Sequence, residues 1–131
     1  MYSELTKLYA KCFPDKKRKW DEQDFADLKK SGCEIITSQN SFIVWRCIGD
    51  EAEIISIGVA PVARRTGTAS ALMQIIEQDV KQMGAKTIFL EVDEANIPAI
   101  GLYKKFNFEN VGVRPHYYEN GHNAIIMKKE I

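Results

Sequence analysis

The stretch "AEIISIGVA", residues 52–60, constrains the fold more than any other part of this chain. Its apolar content is nearly continuous from Ile54 to Ala60. That pattern belongs to a strand covered on both faces, so helices must pack around it. The following segments supply one. Ala69, Leu72, Met73, Ile76, Val80 and Met83 follow the i, i+3, i+4, i+7 spacing of an amphipathic helix, and Gly84 stops it. "KTIFLEV" then gives a second buried-type strand. A chain of 131 residues buries enough surface for one layered core, so residues 1–131 are expected to form a single domain.

The flanking segments extend the pattern. "SELTKLYAKCF" places Leu5, Leu8, Tyr9 and Cys12 at helical spacing. A second helix opens at Asp21, an N-cap residue type, turns Phe25 and Leu28 inward and stops at Gly32. "CEIITS" and "SFIVWRCI" read as strands joined at "QN", and Gly49-Asp50 turns the chain into the third strand. "NIPAIGLYKKF" is a short helix with Asn96 as N-cap candidate and Pro98 in its first turn. "FENVGVRPHYY" and "HNAIIMKKE" flank Glu119-Asn120-Gly121, a hairpin signal because Asn-Gly tolerates positive φ. The predicted order is α-α-β-β-β-α-β-α-β-β, an α/β domain with a mixed sheet.

Charge excludes one broad class. Eighteen Lys and Arg balance eighteen Asp and Glu, so the molecule lacks the electrostatic footprint of a nucleic-acid binder. Cys12, Cys33 and Cys47 are odd in number and lack C-x-x-C spacing, which argues against a disulfide framework or a zinc site. His116 and His122 do not suggest a metal either, so no metal is expected. No apolar run approaches the roughly 18 residues of a membrane span, and the N-terminus lacks the apolar core of a signal peptide. The expected location is a reducing cytoplasm.

"RRTGTAS", residues 64–70, sits where the apolar strand gives way to a helix. A helix N-terminus presents unpaired N–H groups and partial positive charge, and small residues let an anion approach. The turn is neither G-x-x-x-x-G-K-[ST] nor G-x-G-x-x-G, which excludes two familiar phosphate loops. What stands here is Arg64-x-x-Gly67-x-Ala69. From the turn alone, an anion seat and an ordinary solvated turn stay equally open.

"VAPVARRTGTASALM" and "LEVDEANIPAIGLYKKFNFENVG" together resemble the Gcn5-related N-acetyltransferase superfamily, whose acetyl-CoA loop reads Q/R-x-x-G-x-G/A. "LEV", N-x-x-A-I-x-L-Y-x-x-x-x-F, "RPHYY" and "NAIIM" are similar to the bacterial ribosomal-protein-alanine N-acetyltransferase group within it. The resemblance implies a mixed, mostly antiparallel sheet with helices on both faces. It implies that backbone N–H groups of residues 65–70 hold the pyrophosphate of acetyl-CoA, with Arg64, Arg65, Thr66, Gly67, Thr68, Ala69 and Ser70 as cofactor-binding residues. Ile57, Gly58 and Val59 would pair with the pantetheine arm, with the Val59 N–H as an oxyanion donor. Asn96 matches a position that contacts acetyl-CoA, and helix capping is its other role. Members of the family usually begin with a strand before the first helix, and this chain has barely four residues ahead of "LTKLY".

The chemistry needs a base for the amine, a site for oxyanion charge and a proton for the leaving thiolate. Glu91 lies inside "IFLEV", where a buried carboxylate is costly unless hydrogen-bonded or raised in pKa, as suits a general base. The resemblance assigns it as proton acceptor, through water. The alternative is a strand-end carboxylate facing solvent. Tyr103 aligns with the proton donor and contacts acetyl-CoA in the same reading. Its alternative is an aromatic core residue. Phe106 and Phe108 read as core. No Cys or Ser stands in the matched positions, so transfer is expected within a ternary complex. Arg114, Tyr117 and Tyr118 are the candidate acceptor-binding residues, against a reading of the tyrosines as cross-strand packing. The basic run at residues 16–19 reads as a solvated loop. The implied acceptor is the N-terminal alanine of a ribosomal small-subunit protein, with no membrane and no direct nucleic-acid partner. The rivals are another amine (a lysine side chain or a small molecule) and a non-catalytic acyl-CoA-binding module.

Overall fold

A computed structural model describes residues 2–131. Its elements run α1 (Ser3–Cys12), α2 (Glu22–Lys30), β1 (Glu34–Thr37), β2 (Ser41–Ile48), β3 (Glu51–Val59), a 3-10 turn at Pro61–Ala63, α3 (Thr68–Gln82), β4 (Thr87–Asp93), α4 (Ile97–Lys105), β5 (Glu109–Arg114) and β6 (Ala124–Glu130). The order matches the sequence expectation, apart from the added 3-10 turn. The strands form a mixed sheet in the order β1-β2-β3-β4-β6-β5. β1–β2, β4–β6 and β5–β6 pair antiparallel, whereas β3–β4 pair parallel. β1 ends the order, so it is an edge strand.

The chain resolves into two compact units. The first contains residues through Arg46 together with Ile55–Gln78. Its core joins α1, through Leu5, Leu8, Tyr9 and Cys12, to Phe25, Phe42 and Val44. Tyr9 is its aromatic centre, with ring centroids 4.9 Å from both Phe13 and Trp20 and 5.8 Å from Phe42. Asp21 caps α2 through a reciprocal box, accepting from Asp24 N at 2.9 Å while the Asp24 carboxylate accepts from Asp21 N at 2.9 Å. Such a pair satisfies two donors that a helix start leaves open. In the basic run 16–19, Lys17 and Arg18 are exposed, as a solvated loop would be, while Lys16 and Lys19 are half-buried. Arg18 grips both Asp24 oxygens at 2.9 Å, and Lys16 Nζ donates to Tyr9 Oη at 3.2 Å.

β3 alternates more than its sequence suggests. Ala52, Ile54, Gly58 and Ala60 are buried, while Ile55, Ser56 and Ile57 are half-buried. The face bearing Ala52, Ile54 and Gly58 is closed except at Ser56 and the other is partly open, which corrects the expectation of full cover on both sides. Gly58 is on the closed side. A Cβ there would lie 2.5 Å from Phe42 Cε1 and 3.0 Å from the Cβ and Sγ of Cys12. Only glycine lets β3 pack so closely on α1 and β2.

The second unit contains Cys47–Ile54 and Asp79–Ile131. Here β3 pairs with β4 from Glu51↔Thr87 to Ile54↔Leu90, and β4 pairs with β6 along its whole length. Ile88, Leu90 and Val92 are buried and alternate with half-buried Phe89 and Glu91. Ala124 and Met127 of β6 are fully buried, and Tyr103 and Phe108 are nearly so. Two expectations change here. Met83, placed on the inner helix face by its spacing, is 57% exposed because α3 ends at Gln82. Asn120-Gly121 does not make a tight hairpin, because β5 stops at Arg114 and β6 starts at Ala124.

Candidate functional site

The anion turn belongs to the first unit. Gly67 has φ +81° and open space where a Cβ would stand, and its carbonyl accepts from Ala71 N at 3.0 Å. That bond begins α3, so the N–H groups of Thr68, Ala69 and Ser70 precede any i−4 helical acceptor. Arg65 also takes a positive φ, +62°, which bends the main chain around the turn. The Thr66 hydroxyl donates to the Ala63 carbonyl and lies 2.7 Å from the Thr68 hydroxyl. The main chain of 65–70 therefore turns through two positive-φ residues into the positive end of a 15-residue helix, a setting in which an anion is favoured.

Arg64 does something the sequence did not reveal. Its Nε donates to the Val59 carbonyl at 3.0 Å and its Nη2 to the Cys12 carbonyl at 3.1 Å. The side chain ties the end of β3 to the end of α1 instead of pointing freely at an anion. The Cys12 thiol beneath it is pushed up to about 11 by burial, with the Arg64 charge pulling back against that rise. Ile57, Gly58 and Val59 form the last stretch of β3, beyond the residues whose register with β4 is given above. A groove of about 590 Å³ elsewhere in this unit lies between α1 and β1, lined by Leu5, Leu8 and Ile35 with Lys7, Lys11 and Lys29. It contains none of the candidate site residues.

The acid–base candidates belong to the second unit. Glu91 lies on the half-open face of β4 and its Oε1 is 2.7 Å from Arg114 Nε, a closer and wetter setting than the buried carboxylate expected. Its side chain is 27% exposed. Arg114, at the end of β5, also lies over the Tyr117 ring at 5.5 Å. The predicted acceptor-binding arginine thus rests against the predicted base. Tyr103 is buried on α4, with its ring 5.9 Å from that of Phe108. Burial, helped by Tyr118, pushes its hydroxyl well above the ordinary tyrosine range. The hydroxyl keeps its proton at any working pH, as a proton donor must. Asn96 caps α4, its Oδ1 accepting from Ala99 N at 3.3 Å.

Tyr117 and Tyr118 sit in the β5–β6 loop with ring centroids 5.2 Å apart in edge-on contact. Tyr117 is 54% exposed, whereas Tyr118 turns inward. Burial and then the carboxylates of Asp93 and Glu91 push the Tyr118 hydroxyl upward, so it shares a field with both. The sequence did not single out Asp93. It sits at the end of β4, where it accepts from Ala95 N at 2.9 Å, from Asn120 Nδ2 at 3.1 Å and faces His122 Nδ1 at 3.0 Å. Burial works to raise its carboxyl, but these hydrogen bonds and the histidine overcome it and hold the group below its usual range. An aspartate after "LEV" and a histidine after Asn-Gly were the available signals.

These features define an α/β protein in which a strand–turn–helix seat accompanies a mixed sheet bearing acid–base side chains. Within that class, the chain belongs to the acetyltransferase (GNAT) family, whose model matches residues 2–108. It is 30% identical to the ribosomal protein bS18-alanine N-acetyltransferase of Escherichia coli K12 over 126 residues, covering 90% of this chain and 82% of that protein. It is 40% identical over 78 residues to an N-alpha-acetyltransferase of Sulfurisphaera tokodaii, covering 59% of this chain and 47% of the relative. The chain thus spans about half the length of that archaeal relative. The crystal structure of the E. coli S18-alanine enzyme matches at TM-score 0.86 and 26% identity, over 98% of this chain and 86% of that one. Ard1 of Thermoplasma volcanium matches at TM-score 0.86 and 25% identity, over 100% and 93%. No helix among the described residues is long and apolar enough to cross a membrane.

Proposed function

We propose that residues 1–131 act as one N-acetyltransferase domain that moves acetyl from acetyl-CoA to the N-terminal amine of a protein. The observation that carries this reading is the pairing of family membership with the open, positive-φ turn at Gly67 ahead of α3. The main-chain N–H groups of 65–70 hold the pyrophosphate, and the backbone of Ile57, Gly58 and Val59 takes the pantetheine arm. Bound acetyl-CoA supplies an acetyl group activated as a thioester.

The side chains then divide the proton work. An α-amino group has a pKa of about 8, so a carboxylate can draw its proton through a water. Glu91 is that base, with Arg114 fixing its carboxylate. Tyr103 holds a proton on Oη for the leaving sulfur. The Val59 N–H is the oxyanion donor. No acetylated side chain intervenes. Arg114, Tyr117 and Tyr118 receive the peptide end.

The acceptor we favour is an N-terminal alanine of a ribosomal small-subunit protein, supported by the name of the E. coli relative that the chain matches across most of both lengths. The reading places the protein in the cytoplasm. The higher local identity to the archaeal N-alpha-acetyltransferase supports a broader choice of N-termini. Mass spectrometry of peptides incubated with protein and acetyl-CoA decides between them. Preferred acetylation of Ala-initiated ribosomal peptides supports the first, and equal rates on other N-termini support the second. Acetylation confined to lysine side chains of N-terminally blocked peptides overturns both. Tight CoA binding without turnover on any acceptor leaves a binding module.

A further inference from the structure

The β5–β6 loop, residues 115–123, is held to the end of β4 by side chains that the proposed acetyl-transfer chemistry does not use. His122 Nδ1 lies 3.0 Å and 3.3 Å from the two Asp93 oxygens. Asn120 Nδ2 donates to the same carboxylate at 3.1 Å, and Asn120 Oδ1 accepts from His122 N at 2.8 Å. Next to them the Glu94 carboxylate accepts from Asn123 N, while Glu94 N donates to the Asn123 carbonyl at 3.0 Å. Asn123 Oδ1 in turn accepts from His116 N at 3.0 Å. The loop itself is closed by Tyr118 N donating to the His122 carbonyl at 3.2 Å and Gly121 N donating to the Tyr118 carbonyl at 2.9 Å. Tyr118 is thus bonded directly to the residue that Asp93 grips.

We propose that the Asp93–His122 pair is a positioning clamp for acceptor binding: it fixes the loop so that Tyr117 and Tyr118 meet the incoming peptide N-terminus in one geometry. The physical argument is entropic. A loop of this length loses affinity if it must order itself on each encounter, and tethers fastened beforehand remove that cost. His122 and Asp93 are 43% and 23% exposed at the side chain, so the pair is accessible and yet shielded enough to hold. None of the hydrogen bonds that hold the clamp involves Tyr103 or a residue proposed for the coenzyme. Loss of the clamp should therefore fall on the acceptor and spare the coenzyme. The proposal rests on the acceptor reading given above.

The test is steady-state kinetics of the whole chain with acetyl-CoA and an Ala-initiated hexapeptide, on His122→Ala, Asp93→Ala and the double variant. His122→Gln and Asp93→Asn replace any variant that does not fold. Each single change is expected to raise the peptide KM roughly tenfold, leaving kcat and the acetyl-CoA KM within about twofold. The double variant should be no worse than the poorer single, because the His122 tether is already lost once Asp93 is gone. Amide exchange at Tyr118 and Gly121 should quicken by about tenfold in the same variants. A peptide KM within about twofold of the parent in folded variants overturns the clamp, as do unchanged amide exchange or a double variant whose losses multiply. A parent that acetylates no peptide N-terminus overturns the acceptor reading and this role with it, a result distinct from the other two.

Discussion

The two compact units solve different problems with different parts of the chain. The first is built on aromatic packing around Tyr9, and its candidate binding groups are main-chain N–H and C=O. The second carries its candidate chemistry on side chains, Glu91 with Arg114 and buried Tyr103, and holds its loop through Asp93 and His122. Binding through the main chain demands shape, so its signature is glycine and small residues. Acid–base work demands particular functional groups, so its signature is named side chains held by partners. The comparison implies that substitutions in the first unit should act on coenzyme affinity and stability, and substitutions in the second on turnover or acceptor binding.

The sharpest division comes from Glu91→Gln. It should lower kcat by about a hundredfold, or roughly 2.7 kcal/mol of barrier, with coenzyme affinity unchanged by calorimetry. Loss of affinity with intact kcat would erase the division. Gly58→Ala comes next. The added methyl has to displace Phe42 and Cys12, which should cost about 2 kcal/mol and lower the melting midpoint by roughly 5–10 °C. A melting midpoint unmoved by that methyl would mean β3 does not pack as tightly on α1 as described. Gly67→Glu should weaken coenzyme binding by at least about tenfold, since it adds a negative charge and a side chain at φ +81°. Normal affinity in that variant would remove the turn from the site.

The smallest effect is a pH response. Tyr103 and Tyr118 have hydroxyls raised above the tyrosine value of about 10 that the unfolded chain shows. Their raised values favour the neutral form in the fold, so the stability they give is full below about pH 10 and fades as pH climbs past it. Thermal melts from pH 9 to 11.5 should show that decline, and Tyr103→Phe should flatten it. A decline equally steep in Tyr103→Phe would place the alkaline sensitivity elsewhere.

The sequence made most of this fold legible because its punctuation is local. Asp21, Gly32, Gly84 and Asn96 each act within a few residues, and each stands at the helix boundary expected of it. Leu5, Leu8, Tyr9 and Cys12 were placed inward by spacing and are buried. What the sequence hid depends on distant partners. Asn120-Gly121 looked like a tight hairpin because Asn-Gly tolerates positive φ, yet the Asn side chain reaches back to Asp93. Arg64 looked like a phosphate ligand because its reach to the Cys12 carbonyl spans 52 positions. Glu91 looked buried because its neighbours are apolar, while strand alternation turns it toward Arg114. Its place in the motif resemblance, not its burial, is what points to it.

The register shift between Asn110 and Gly112 has a bearing on solubility. β5 closes one end of the strand order, and Val111 and Val113 stand 48% and 52% exposed on it. A bare edge with apolar side chains is a template on which another copy can stack as a fibril. The irregularity breaks the evenly spaced ladder that an incoming strand would need, and Glu109 and Arg114 put charges at the two ends of β5. Deleting Val111, the residue at that irregularity, would even out the ladder and remove this protection.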